Sequence, residues 1–152
     1  MKTQSTVCEI KVSYEPSLNL RTAPVIKTSD EAATLLRELF DPATIALREE
    51  FVILYLNKAN RVLGSFRLSV GGIDSTVADI RIILALALKA AASGIILCHN
   101  HPSGNLTPSS ADLGITAKVA AACRLIDIRL IDHIILAPGG EFCSIQDVQG
   151  IH

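Results

Sequence analysis

The stretch Ile95-Ile96-Leu97-Cys98-His99-Asn100-His101-Pro102, an apolar run that ends on two histidines one residue apart, constrains this chain more than any other feature. A short, continuous apolar run of this kind fits a buried strand. In an extended strand, residues two apart share a face, so His99 and His101 present their imidazoles together while Cys98 and Asn100 point away. A third polar group is then needed. Ser109 and Asp112 follow a Pro/Gly/Ser loop from Pro102 to Pro108, which can fold back and bring the Asp112 carboxylate to the same point. Two imidazoles and one carboxylate suit zinc, one ion per chain. Three protein ligands leave a fourth position for water, as in catalytic rather than structural zinc sites. Ser109-x-x-Asp112 also reads as a helix N-terminus, with Ser capping and Asp near the positive dipole end. The two readings are compatible, because a capped first turn also fixes where the carboxylate points.

Around this strand the pattern predicts a mixed architecture. Residues before Thr28 form a polar, irregular segment with one short strand over Val7–Val12. Thr28 to Glu31 resembles a capping box that opens an amphipathic helix through Leu35, Leu36 and Leu39, stopping near Asp41-Pro42. Phe51 to Leu56 is an apolar run of strand length. Asn57 to Arg61 forms a turn and Val62 to Val70 a returning strand, giving a hairpin expected to be covered on both faces. Helical periodicity from about Val77 to Ala92 ends at Ser93-Gly94. After the histidine loop come a helix over Ser109–Leu125, a strand over Arg129–Leu136 and a final short strand around Glu141 to Ile145. This order predicts an α/β (α+β) fold, a mixed β-sheet sandwiched by helices. One domain is expected over residues 1–152, with its core at about 28–148.

Composition narrows the function classes. The chain of 152 residues is 49% hydrophobic, which fits a globular core rather than disorder. Its longest unbroken apolar run, Ile82 to Leu88, is far too short to span a bilayer. The first ten residues are polar and mixed, so no signal peptide, no membrane partner and a cytoplasmic location are expected. Cys8, Cys98, Cys123 and Cys143 lack paired spacing, which argues for buried free thiols over a disulfide framework or zinc knuckle. A net charge of −1 with no Lys/Arg run argues against electrostatic binding of nucleic acid.

Written out, His99-x-His101-Pro102, six residues, then Ser109-x-x-Asp112 resembles the JAMM (MPN+) zinc metallopeptidase motif. Cys98-His99-Asn100-His101-Pro102-Ser103-Gly104 and Leu130-Ile131-Asp132-His133 are similar to the JAB domain of RadC-like proteins, once labelled DNA-repair proteins. The resemblance runs from about Arg48 to about Val148. It implies a JAB/MPN-like sheet shared in outline with the cytidine-deaminase-like fold, with His99, His101 and Asp112 as zinc ligands. It makes Ser109 the residue that positions the reacting oxygen. The family's upstream glutamate falls on Glu49 or Glu50, and the offset to Phe51 favours Glu49. That glutamate would take the proton of a metal-activated water and return it to a departing amine, so the implied activity is hydrolysis of an amide bond in a peptide or protein-conjugate substrate.

Orienting partners are also needed. Asn100 and Asp132 are candidates for accepting an imidazole N–H, and His133 is a further candidate for orientation or substrate contact, although a histidine in an apolar strand is more often a hydrogen-bonded core residue. The residues before Thr28 are too few for the helix-hairpin-helix module that RadC-like chains commonly carry. Asp79-Ile80-Arg81 stands where many relatives have His-Pro-Arg, and Asp79 and Arg81 read as cap and surface charge. Two other readings remain: a DNA-repair-associated accessory protein, and a catalytically silent zinc-binding interaction module.

Overall fold

The computed structural model describes residues 7–9, 11, 13–15, 19–71 and 78–152. Its first helix, α1 (Ser29–Arg37), starts where the Thr28 hydroxyl accepts a hydrogen bond from the Glu31 amide, while the Glu31 carboxylate accepts one from the Lys27 amide. Strand β1 (Glu50–Leu56) is buried along its whole length. Strand β2 (Val62–Val70) returns antiparallel to it, but its centre, Ser65 to Arg67, is exposed. The expected hairpin exists, and only β1 is covered on both faces, because β2 is the edge of the sheet.

Helix α2 (Ile80–Lys89) follows Asp79, whose carboxylate accepts from the Arg81 amide and pairs with its guanidinium. Val77, where periodicity placed its start, lies outside the described residues. The left-handed residue past this helix is Ala91, at φ 51°. Gly94 does not cap the helix. It opens β3 (Gly94–Asn100), where a Cβ on it would sit 2.6 Å from Ile131 Cδ1. Helix α3 (Ser110–Leu125), β4 (Arg129–Leu136) and β5 (Phe142–Ser144) fall where the pattern put them. A short helix, α4 (Ile145–Gln149), was not expected. Its five residues are too few to show periodicity, yet Ser144 caps it by accepting from the Asp147 amide, the same Ser-x-x-Asp arrangement as at Ser109. Of the strand expected over Val7–Val12, Ile10 and Val12 lie outside the described residues, and Val7, Cys8, Glu9 and Lys11 belong to no strand.

The sheet order is β2-β1-β3-β4-β5, with β3 and β4 parallel and every other neighbour antiparallel. A parallel pair needs a long crossover, and α3 supplies it. On one face, Ala32, Ala33 and Leu36 of α1 pack with Val52, Leu54, Ile96, Cys98, Ile134 and Leu136. On the other, Ile83 and Ala87 of α2 and Val119 and Cys123 of α3 pack with Phe51, Ile53, Ile95 and Leu97. Two covered faces explain why β1 and β3 read as unbroken apolar runs instead of alternating. The four cysteines are free, but only Cys98 and Cys123 are buried; Cys8 is exposed and Cys143 half-buried. No helix among the described residues is long and apolar enough to cross a membrane.

Candidate metal centre

At the end of β3, alternation sends His99 to the α2/α3 face with Ile95 and Leu97, and Asn100 to the opposite face with Ile96 and Cys98. His101, just past the strand, turns back so that its Nε2 lies 2.9 Å from His99 Nε2. The Asp112 carboxylate spans both, Oδ1 at 3.1 Å from His99 Nε2 and Oδ2 at 3.4 Å from His101 Nε2. These separations match the edges of a zinc tetrahedron, about 3.3 Å when ligand atoms stand about 2.0 Å from the ion. Glu49 Oε1 lies 3.8 Å from His101 Nε2. Glu49, His99 and His101 can bring their ligand atoms within 4.8 Å of one another, but the Asp112 carboxylate is the nearer to both rings.

The first turn of α3 aims that carboxylate. The Ser109 amide donates to Asp112 Oδ2 at 2.7 Å, and the Asp112 amide donates to Ser109 Oγ at 3.1 Å. Cap and candidate ligand are therefore one structure. No acceptor among the described residues takes the Ser109 hydroxyl proton.

Electrostatics favour a cation here. Burial by itself would raise the Asp112 carboxyl, but the two imidazoles of His101 and His99 beside it and the hydrogen bond from the Ser109 amide outweigh it and hold the group far below the usual carboxylate range. The same Asp112 hydrogen bond is the main reason the His101 pKa lies above its ordinary value, against the opposing effect of partial burial. His101 Nδ1 stands 2.5 Å from the Asn105 carbonyl. A carbonyl only accepts, so Nδ1 carries the hydrogen and Nε2 faces the cluster with its lone pair whenever the ring is neutral. The donor set and its spacing thus fit zinc.

His99 Nδ1 lies 2.8 Å from His133 Nε2. The Phe51 ring stacks on His99, with centroids 5.8 Å apart and planes 2° from parallel. His133 is fully buried, and that burial pushes its pKa well below the ordinary range, so its ring is neutral.

Neither expected acceptor orients a histidine. The Asn100 amide donates to the Ile45 and Arg48 carbonyls at 2.7 and 2.8 Å, and its oxygen accepts from the Glu50 amide at 2.8 Å. It pins the segment that carries Glu49, because alternation turns it away from the rings. Asp132 accepts from the Ser144 hydroxyl and from the His133 and Gln146 amides, and so serves the start of α4. Glu50 is buried against Arg48 at 3.2 Å and against Arg67, also turned away from the histidines by alternation. Sequence reasoning missed Phe51, Asn105 and Thr116. Thr116 stands four residues after Asp112 on α3, a helical spacing that puts the two on one face.

Residues 26–151 match the family described as RadC-like JAB domain. A curated UPF0758 protein of Flavobacterium johnsoniae is 41% identical over 111 residues, 73% of this chain and 47% of the relative. One from Aquifex aeolicus is 37% identical over 117 residues, 77% of this chain and 49% of its own length. One from Haemophilus ducreyi is 43% identical over 95 residues, 62% of this chain and 43% of its own length. The chain spans about half the length of these relatives.

Proposed function

We propose, because this chain belongs to the RadC-like JAB domain family, that it is a zinc-dependent hydrolase of amide bonds whose substrate is a peptide or a protein conjugate. One observation carries this reading: His99 Nε2, His101 Nε2 and the Asp112 carboxylate converge within 3.4 Å of one another, and a second carboxylate, Glu49, stands beside them. His99, His101 and Asp112 would hold the ion. Zinc held there would supply a water acidified from about 15.7 to about 7 and an electrophilic face for a carbonyl oxygen.

The chain's own residues do the rest. Glu49 accepts the water's proton as the carbonyl carbon is attacked, and returns it to the departing amine. Its 3.8 Å approach to His101 Nε2 puts it beside the centre. Ser109, whose hydroxyl proton has no acceptor among the described residues, donates to the oxygen that gains charge; one such donor is worth roughly 3 kcal/mol of barrier. The Phe51 ring stacks on His99 from the neighbouring strand.

The test pairs metal analysis with turnover. Protein purified without chelator carries about one zinc per chain, and the His99→Ala, His101→Ala double variant carries none. Glu49→Gln keeps the zinc and loses at least a hundredfold in hydrolysis of a panel of peptides and isopeptide-linked conjugates, within the range of general acid–base contributions of about 10²–10⁴. Wild-type protein that takes up no zinc from excess metal overturns the reading, as does Glu49→Gln hydrolysing at the wild-type rate.

A further inference from the structure

Two oxygens within hydrogen-bond distance need a proton between them, and a carbonyl has none to give. Thr116 Oγ1 is 2.6 Å from the Asp112 carbonyl oxygen, so the hydroxyl proton lies on that line. The same Oγ1 is 2.6 Å from His133 Nδ1. With its only proton already spent, the hydroxyl accepts there, and His133 Nδ1 carries hydrogen. The partners of His133 are a hydroxyl and an imidazole, neither a carboxylate, and the ring is wholly buried, a setting that disfavours imidazolium. A neutral ring with hydrogen on Nδ1 has a bare Nε2. His99 Nδ1, 2.8 Å away, is therefore the donor, and the lone pair of His99 is left on Nε2, the atom that faces His101 and Asp112.

We propose that Thr116 and His133 form a tautomer lock on the metal centre: a directed chain from His99 Nδ1–H to His133, from His133 Nδ1–H to Thr116, and from the Thr116 hydroxyl to the Asp112 carbonyl. This rests on the zinc site proposed above and adds its orienting residues. The chain begins at one metal-holding side chain and ends on the peptide group of another. It crosses from β3 through β4 to α3, so that the register between strand and helix is written into which nitrogen of His99 is free. His133 is a positioning residue and not a ligand. Its Nε2 is occupied by His99 and its Nδ1 by Thr116.

The lock is tested on the zinc-free and zinc-loaded 152-residue chain with ¹⁵N-labelled histidines. In zinc-free wild type, the His99 resonances report hydrogen on Nδ1 and a bare Nε2. Thr116→Val removes the acceptor at little change of volume. It shifts His99 toward the tautomer with hydrogen on Nε2 and weakens zinc binding, measured by competition with a chromophoric chelator, by about ten- to a hundredfold. Thr116→Ser keeps the hydroxyl and retains wild-type affinity. His99 found with hydrogen on Nε2 in zinc-free wild type overturns the proposal. So does Thr116→Val with lowered thermal stability but unaltered tautomer and zinc affinity, the result of a merely structural contact. Should wild type bind no zinc at all, the hydrolase reading falls, and the tautomer of His99 still decides the lock on its own.

Discussion

Between Glu49 and Glu50 the chain separates two roles by one peptide bond. Strand alternation turns Glu49 toward His101 and Glu50 toward Arg48 and Arg67. Glu50→Gln is therefore expected to lower stability by about 1–3 kcal/mol, limited because both arginines are more than a third exposed, and to leave zinc content intact. Chemical denaturation beside metal analysis checks this, and a loss of zinc in Glu50→Gln contradicts it. The charges at the centre also set a pH dependence of opposite sign with and without metal. In zinc-free protein the His101 pKa is raised above its ordinary 6.5, so the fold holds that proton more tightly than the unfolded chain does. The resulting stability is complete below 6.5 and is lost as pH rises through the folded value. Asp112 is held below its ordinary 3.8, and its contribution is present above 3.8 and lost on acidification. Zinc held at His101 as proposed would have to displace that proton, so its affinity would rise with pH over the range where the metal-free fold weakens. Melting temperatures measured from pH 5.5 to 8.5, with chelator and with zinc, should slope in opposite directions; parallel slopes would mean that no proton competes with the metal.

At the scale of elements, α3 joins folding to chemistry through its first turn. Ser109→Ala removes an N-cap acceptor and should cost about 1 kcal/mol, while also loosening the carboxylate that the Ser109–Asp112 box aims. Zinc affinity should fall along with stability. An Asp112 ligand indifferent to its cap would show only the stability loss. On the other side of the sheet, Asn100 ties three backbone groups of the segment leading into β1. Asn100→Ala leaves these groups without their partner, at about 1–3 kcal/mol for a buried unsatisfied group. It should reduce turnover by freeing Glu49 while zinc stays bound. The local signals for these elements were readable. Thr28, Ser109 and the apolar runs of β1 and β3 lie where capping and burial require, since both depend on a few neighbouring residues. Gly94 was misread because its small size could equally serve a helix end or close packing, and only the approach of Ile131 from β4 shows which applies.

At the scale of the molecule, the fold is expected to stand without the metal. Its two cores, one under α1 and one under α2 and α3, consist of apolar side chains from five strands' worth of sheet and the helices that cover it. Chelation should leave the far-ultraviolet spectrum in place, and saturating zinc should raise stability by about 4 kcal/mol at a thousandfold excess over its dissociation constant. A chain that unfolds on chelation would instead place zinc among its structural supports. Local period and short spacing were enough to read a strand buried on both faces, two histidines on one side of it, a capped helix presenting Asp112, and an α/β order of elements. Register between distant segments settled the rest. It made β2 the exposed edge, and it gave His99 a partner in His133, 34 residues away on the parallel neighbour strand, in place of Asn100 or Asp132. A strand's alternation says which side chains share its face. It does not say which residue of the adjacent strand will come within reach of them: His133 pairs with Leu97 in the register, and its side chain reaches His99 Nδ1.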